Sequence, residues 1–498
     1  MTIHSMYSDP KKPDDRPATA AALGEIFCGC ADFETRAVWP GGRKISGVSV
    51  CWIDGLVDGG SISELVLRPL TDSLRLAAVR NAADCALLLE RGAVFSFSVK
   101  RRESAAEVSR DLLHGSCAVV LDELGCALTF EAKSAAGRSI SEPTVEKSVK
   151  GAKDAFVETL RTNTALVRKK LRASELKLWQ TVVGRRSGTD VAVLWLDGVA
   201  NRDTLRELRR RLAAIDVDGL TSAGGLEQYI TDRPRSPLPQ LLHTERPDKF
   251  AAELLAGRIG ILVDGLPIGF LLPATMAKFM QVAEDRGHHF VTASALRLLR
   301  WLSVGISALF PAFFVAVSMY HQEMIPEKLL LSMVAAKQEV PFSVAFEVIA
   351  MLIAFELLME AGLRLPDPVG DAVSLIGALI VGQSAVEARI VSPIAVIVVA
   401  TGAICGFTQP SRDLAAALRA LRLLMMLLSL ALGMFGLAAG SALTVWYLCT
   451  IESFGVAYTA PMSEGGARNA ARAILQQPLP DVKFRERELK TEDKRCQK

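Results

Sequence analysis

The sequence predicts an α/β cytoplasmic half made of two duplicated subdomains, followed by an α-helical integral membrane domain. Three observations predict it. Most of the charge lies in residues 1–290, whereas residues 300–451 hold most of the long apolar runs of a chain that is 50% hydrophobic. Strand-and-turn motifs recur at one spacing in the first half. Several runs in the second half carry no charge and are long enough to cross ~30 Å of hydrocarbon. The chain has 498 residues, enough for more than two ordinary domains.

Residues 1–24 are expected to be disordered: they are polar, contain Pro and Asp, and show no signal peptide. Subdomains follow at 25–150 and 151–290. Their strands are read in VSVCWIDGLVD (48–58), AVVLDELGCALTF (118–130), VAVLWLDGVAN (191–201) and GILVDGLPIGFLL (260–272). Each is a short β-branched or aromatic run ending at or near Asp-Gly, the pattern of a buried strand and a tight turn. Asp197 follows Asp54 by 143 residues, and Asp264 follows Asp122 by 142. Two pairs with nearly the same offset indicate an internal duplication. SISELVLRPLTDSLR and RDTLRELRRRLAAID read as helices after the first strand of each copy, so each unit is α/β.

The aspartates are read as turn residues, because Asp bonds its own backbone and Gly tolerates positive φ. No Walker motif, GxGxxG after a strand, HExxH or GxSxG occurs. Neither an enzyme nor a cofactor is expected. No metal site is expected either: Cys28-Gly-Cys30 lacks a second pair, and His288-His289 would point to different helix faces. A net charge of +3 gives no argument for nucleic acid. Nine irregularly placed cysteines suit reduced, mostly buried thiols in a cytoplasmic half.

The transmembrane helical domain is expected at 291–460. Residues 302–320, 390–411 and 423–451 are uncharged and read as three spans. Segments 340–363 and 372–386 are conditional spans, interrupted or bounded by acids. Arg297 and Arg300 precede the first span and place it on a cytoplasmic flank. Arg412, Arg419 and Arg422 lie at one end of the last run and the charged tail, 461–498, at the other. One crossing cannot put both in the cytoplasm, so the side of the carboxyl terminus stays open. Gly433, Gly436 and Gly440 are helix-packing candidates, with the last two at GxxxG spacing.

The acids of this domain are its functional candidates. An ionised carboxylate facing lipid at mid-bilayer costs about 2.5–3.5 kcal/mol on insertion scales. Glu356 and Glu360 stand four apart on one helix face, with Arg364 four further on and able to pair with Glu360. Either they face water, protein or Arg364, or with Glu347, Gln383 and Glu387 they line a cation path.

Several stretches together resemble the A-subunit family of spore germinant receptors (GerA-type proteins). They are FVETLRTNTALVRKKL (156–171), VGRRSGTDVAVLWLDGVAN (183–201), SPLPQLLHTERPDKFAAELLAGRIGILVDG (236–265) and MIPEKLLLSMVAAKQEVPF (324–342). FELLMEAGLRLPDPVGDAVSLIGALIVGQSAVEA (355–388), VSPIAVIVVA (391–400) and SFGVAYTAPM (453–462) complete the series, which covers about residues 25–462. The chain departs from the family pattern at Leu352, where an acid is usual, at Arg389, where Gly is usual, and at Arg412, where Tyr is usual. The resemblance implies a role in endospore germination, in the spore's inner membrane. It implies a transporter-like B subunit that senses nutrient, a lipoprotein C subunit, a homo-oligomer in contact with membrane lipid, and a path for monovalent cations. The alternatives are a non-conducting membrane-anchored scaffold and the branch of the family that works with dipicolinic-acid release.

Overall fold

The computed structural model describes residues 16–42, 47–79, 81–93, 98–134, 143, 146, 151–220, 222–362, 382–463 and 466–497. The chain divides into two compact units. The first comprises Met1–Pro234, Leu241–Pro273 and Val482–Lys498; the second comprises Arg235–Gln240 and Ala274–Asp481.

The first unit holds two five-stranded antiparallel sheets. Sheet one uses β1 (Phe33–Ala37), β2 (Val48–Ile53), β3 (Val99–Arg102), β4 (Ser116–Leu121) and β5 (Cys126–Glu131), in the order β1-β2-β4-β5-β3. Sheet two uses β6 (Leu176–Val183), β7 (Thr189–Leu196), β8 (Leu242–Thr244), β9 (Ile259–Val263) and β10 (Gly269–Leu272), in the order β6-β7-β9-β10-β8. The two orders are identical strand for strand, so the duplication read from the aspartates is a duplication of topology. The central strands are apolar on both faces because both faces are covered. In β4, Val119 and Leu121 enter one buried cluster, while Ala118 and Val120 enter the cluster on the opposite face. That is the two-residue period of a strand.

Helices α1 (Ala20–Ile26) and α2 (Ala105–Leu113) belong to the first copy. Helices α3 (Leu160–Lys170), α4 (Arg202–Ala213), α5 (Ala223–Ile230) and α6 (Pro247–Ala256) belong to the second. α1 corrects one expectation. Thr19 accepts from Ala22 N as its N-cap, and Leu23 and Phe27 are core residues. The end of the segment expected to be disordered is therefore helical, because its apolar face closes sheet one. Residues 1–15 lie outside the described residues.

The tail corrects a second. Residues 482–497 belong to the α/β unit. Arg258, which has no exposed surface, donates to Pro273 O (3.0 Å), Glu253 Oε2 (2.7 Å) and Glu486 Oε2 (2.7 Å). Glu492 N–H donates to Val199 O (3.1 Å), and Thr491 is buried beside Gly257. A buried guanidinium needs compensating charge, and the tail supplies one of its two carboxylates.

The second unit is helical: α7 (Phe290–Tyr320), α8 (Glu327–Lys337), α9 (Val344–Gly362), α10 (Pro393–Phe407) and α11 (Arg412–Thr450). α7 and α11 are long and apolar enough to cross a membrane, by length and composition. The run expected to cross at 390–411 is helical only over the fifteen residues of α10. Ser392 caps it and Pro393 starts it, and at 1.5 Å per residue it is about 22 Å long. Segment 372–381 and Arg364 lie outside the described residues.

α11 is not one straight crossing. Gly433 has φ 62° and ψ −139°, a backbone reserved for glycine. On a continuous helix, residues 425 and 440 would stand about 22 Å apart. Here a Cβ on Gly440 would lie 2.9 Å from Met425 Sδ, and one on Gly436 would lie 2.0 Å from Leu428 O. The halves 412–432 and 434–450 fold back on each other at Gly433. In sequence the run reads as one crossing because it contains no charge or proline to mark the reversal. The fold-back brings the two ends of α11 to one end of a helical hairpin.

Candidate functional site

α9 places three acids on an otherwise apolar helix. Glu347, in the first turn, is fully buried. Its Oε1 accepts from Lys337 Nζ (3.0 Å), at the end of α8, and its Oε2 accepts from Ser392 N–H (2.8 Å), at the N-cap of α10. The carboxylate thus sits at the positive end of a helix, where negative charge is favoured.

Two and a half turns later, Glu356 is half-buried between α9 and α11. Arg419 Nε lies 3.2 Å from its Oε1, and Arg422 Nη2 lies 3.9 Å from its Oε2. Arg422 is buried, and its Nε has no hydrogen-bond partner among the described residues. Between the two acids lies an apolar cluster from four helices: Val315 of α7, Val348 and Leu352 of α9, Ala395 and Val399 of α10, and Met426 of α11.

Glu360, one turn beyond Glu356, is exposed. Gln383 and Glu387 are exposed on the short helical stretch 382–387, where Gln383 Nε2 donates to Glu387 Oε1 (3.1 Å). The five candidates do not converge on one centre. Glu347 faces α10, Glu356 faces α11, and Gln383 pairs with Glu387. Among the described residues, no group of three or more His, Cys, Asp or Glu could hold a metal. Gly436 and Gly440 pack inside the α11 fold-back, and the Tyr320 ring covers Gly433.

The partners Lys337, Ser392, Arg419 and Arg422 were not read as site residues. Ser392 lies 45 residues from Glu347, and Lys337, only ten away, lies on a different helix, so only tertiary structure joins these groups to their acids. Asp285 was missed for the same reason. Its buried carboxylate accepts from Arg297 Nε (2.9 Å) and from both Arg300 Nη atoms (2.9 Å each), so the two arginines read as flanking charges are ion-paired. Burial alone would raise the Asp285 carboxyl; the hydrogen bonds from Arg300 and Arg297 outweigh it and hold the group below the usual carboxylate range.

The repeated aspartates do structural work in matched positions. Asp122 Oδ1 accepts from Ala20 N–H at the start of α1 (2.7 Å), and Asp264 Oδ1 accepts from Leu160 N–H at the start of α3 (2.9 Å). Asp54 pairs with Arg161. Arg168 and Asp32, both buried, join the two copies through a fork of hydrogen bonds at 2.8 and 2.9 Å. His289 caps α7, its Nδ1 accepting from Val291 N–H at 3.4 Å. All nine cysteines are free, and five are buried. Burial pushes the Cys51 and Cys85 thiols up to about 11, which leaves them protonated and unreactive.

Comparison with known proteins gives one consistent result. The family described as "Bacillus/Clostridium GerA spore germination protein" matches residues 21–488. Spore germination protein KA of Bacillus subtilis (strain 168) is 35% identical over 447 residues, covering 90% of this chain and 81% of that protein. Spore germination protein GerLA of Bacillus cereus is 31% identical over 481 residues, covering 97% and 93%. Stage V sporulation protein AF of Bacillus subtilis (strain 168) is 28% identical, covering 88% of each chain. Among solved structures, the N-terminal domain of the A subunit of the Bacillus megaterium spore germinant receptor GerK3 is similar, at 26% identity and a TM-score of 0.42. It covers 53% of this chain and 99% of that one.

Proposed function

Because the chain belongs to the GerA spore germination protein family, we propose that it is the membrane-embedded A subunit of a spore germinant receptor, oligomerising to form or gate a path for monovalent cations. A transporter-like B subunit would sense the nutrient, and a lipoprotein C subunit would complete the assembly, in the inner membrane of the endospore. The α/β unit stands in the cytoplasm. Its inclusion of both 151–220 and 482–497 supports this topology, since the helical part must then leave and return on one side. Identity of 35% to spore germination protein KA over 90% of this chain supports a role in spore germination.

Glu356 carries the reading. It is a half-buried acid on an apolar helix, held by Arg419 across a helix interface. In this arrangement the path is shut: the arginines neutralise the carboxylate, and buried Arg422 opposes entry of a cation. Opening would part Glu356 from the arginines and leave Glu356 and Glu360 on one wall, with Gln383 and Glu387 shaping the mouth. A scaffold reading draws on the same region, because Glu347 and Glu356 are both satisfied internally, as in a helix bundle that only anchors.

The test is Glu356→Gln combined with Glu360→Gln in spores. The cation path predicts normal assembly with germinant-triggered K⁺ release reduced about tenfold or more, the scale of an allosteric coupling. Release unchanged at normal protein level would leave only the scaffold.

A further inference from the structure

Three pieces of chain meet at Glu347. Lys337 arrives from the end of α8, Glu347 from the first turn of α9, and Ser392 from the N-cap of α10. Lys337 Nζ also donates to Phe342 O (3.0 Å), which fixes the α8–α9 connection. A second pair ties the same connection to the same helix start: Arg389 Nε lies 3.1 Å from Glu339 Oε2.

Arg389 occupies a position that suits glycine. Its φ is +58°. Arg389 N–H donates to Val386 O (2.9 Å) and Ile390 N–H donates to Ala385 O (2.9 Å). These are the two bonds of a left-handed helix C-terminus, whose pivotal residue is ordinarily Gly. An arginine there gives up backbone comfort and gains reach towards Glu339. A buried ion pair adds little stability compared with apolar packing, and its best-attested use is to fix register. Both features at one junction point to a device that sets position.

We propose that Glu347 is a positioning residue. With Lys337 it clamps the start of α10 to α9, and Glu339–Arg389 completes the clamp from outside. Glu347 has no exposed surface and both its oxygens are bonded, so it is not a wall of the cation path. It acts through the register of α9 on α10, where Val348 and Leu352 pack against Ala395 and Val399. That register sets where Glu356 stands, one helix turn beyond Leu352. This rests on the cation-path reading for its consequence, but not for its geometry.

The Ser392 amide donates directly to Glu347, so its hydrogen exchange reports the clamp without any ion flux. Full-length protein would be compared as wild type, Glu347→Gln, Lys337→Met and Lys337→Arg. Side chain 337 is one-third exposed, and exchange is compared only between variants whose helix content and abundance match wild type. Glu347→Gln and Lys337→Met are expected to speed Ser392 exchange about tenfold, the factor for loss of one charge-assisted hydrogen bond. Both are expected to raise unstimulated cation release at equal abundance. Lys337→Arg keeps the charge and should match wild type in both.

Ser392 exchange unchanged in both weakened variants would overturn the clamp. Faster exchange with unstimulated release identical to wild type would overturn the clamp's effect on the cation path. Absence of cation release from wild type and every variant would overturn the path instead, and the exchange result would still decide whether Glu347 positions α10.

Discussion

The two sheets of the first unit and the helices of the second use carboxylates in opposite ways. In the sheets, Asp122 and Asp264 occupy equivalent strand ends and accept from the first amides of equivalent helices. One geometry occurs twice, with partners set by the repeated topology. In the helices, Glu347 and Glu356 lie on a single helix yet have unrelated partners: a lysine and a helix start for one, two arginines of α11 for the other. Charge in the sheets therefore secures one repeated geometry, whereas charge in the helices makes each contact once, between elements that the topology does not repeat.

The sharpest way to break that contrast is to remove the ion pair that joins the two copies. Arg168→Ala leaves Asp32 buried and alone. A loss of about 3–5 kcal/mol is expected, the cost of stranding one member of a buried pair, read by thermal or denaturant unfolding of the α/β unit. A loss under one kcal/mol would mean that the copies are held by apolar packing.

Asp285 is next. Its carboxyl is held below its unfolded value, so its contribution to stability is present above about pH 4 and is lost as pH falls through the folded value. Asp285→Asn should destabilise the helical unit at neutral pH by about 3 kcal/mol and flatten its acid-side loss of stability. An unchanged acid limb would place the titrating group elsewhere.

The smallest effect tests the symmetry itself. Asp122→Ala and Asp264→Ala should each cost about 0.5–2 kcal/mol, as for the loss of a helix cap, and by similar amounts. A large difference between them would show that one copy has taken on a further role.

Much of the α/β unit was legible because strand alternation and turn chemistry are local. Four strand-turn motifs at nearly one offset were enough to reveal a duplication whose sheets have the same order. The reversal at Gly433 was not legible. The glycine was visible, but a packing glycine and a turning glycine look alike until Gly440 is found beside Met425. The tail reads as a separate segment because its tie to the α/β unit is non-local: Glu486 meets Arg258 from 228 residues away. In the helices, the acids were found because they are costly there. Their partners were not, since Lys337, Ser392 and Arg419 carry no spacing signal that links them to α9.

The central claim is that the helices form or gate a cation path in which Glu356 and Glu360 take part. The most direct measurement is monovalent-cation flux through full-length protein in liposomes, wild type against Glu356→Gln with Glu360→Gln, with any partner subunits needed to open it supplied. Wild-type flux that falls about tenfold in the variant is the predicted result. Equal flux from equally inserted wild type and variant would contradict the role of the acids, and no flux from well-folded, partnered oligomers would contradict the path.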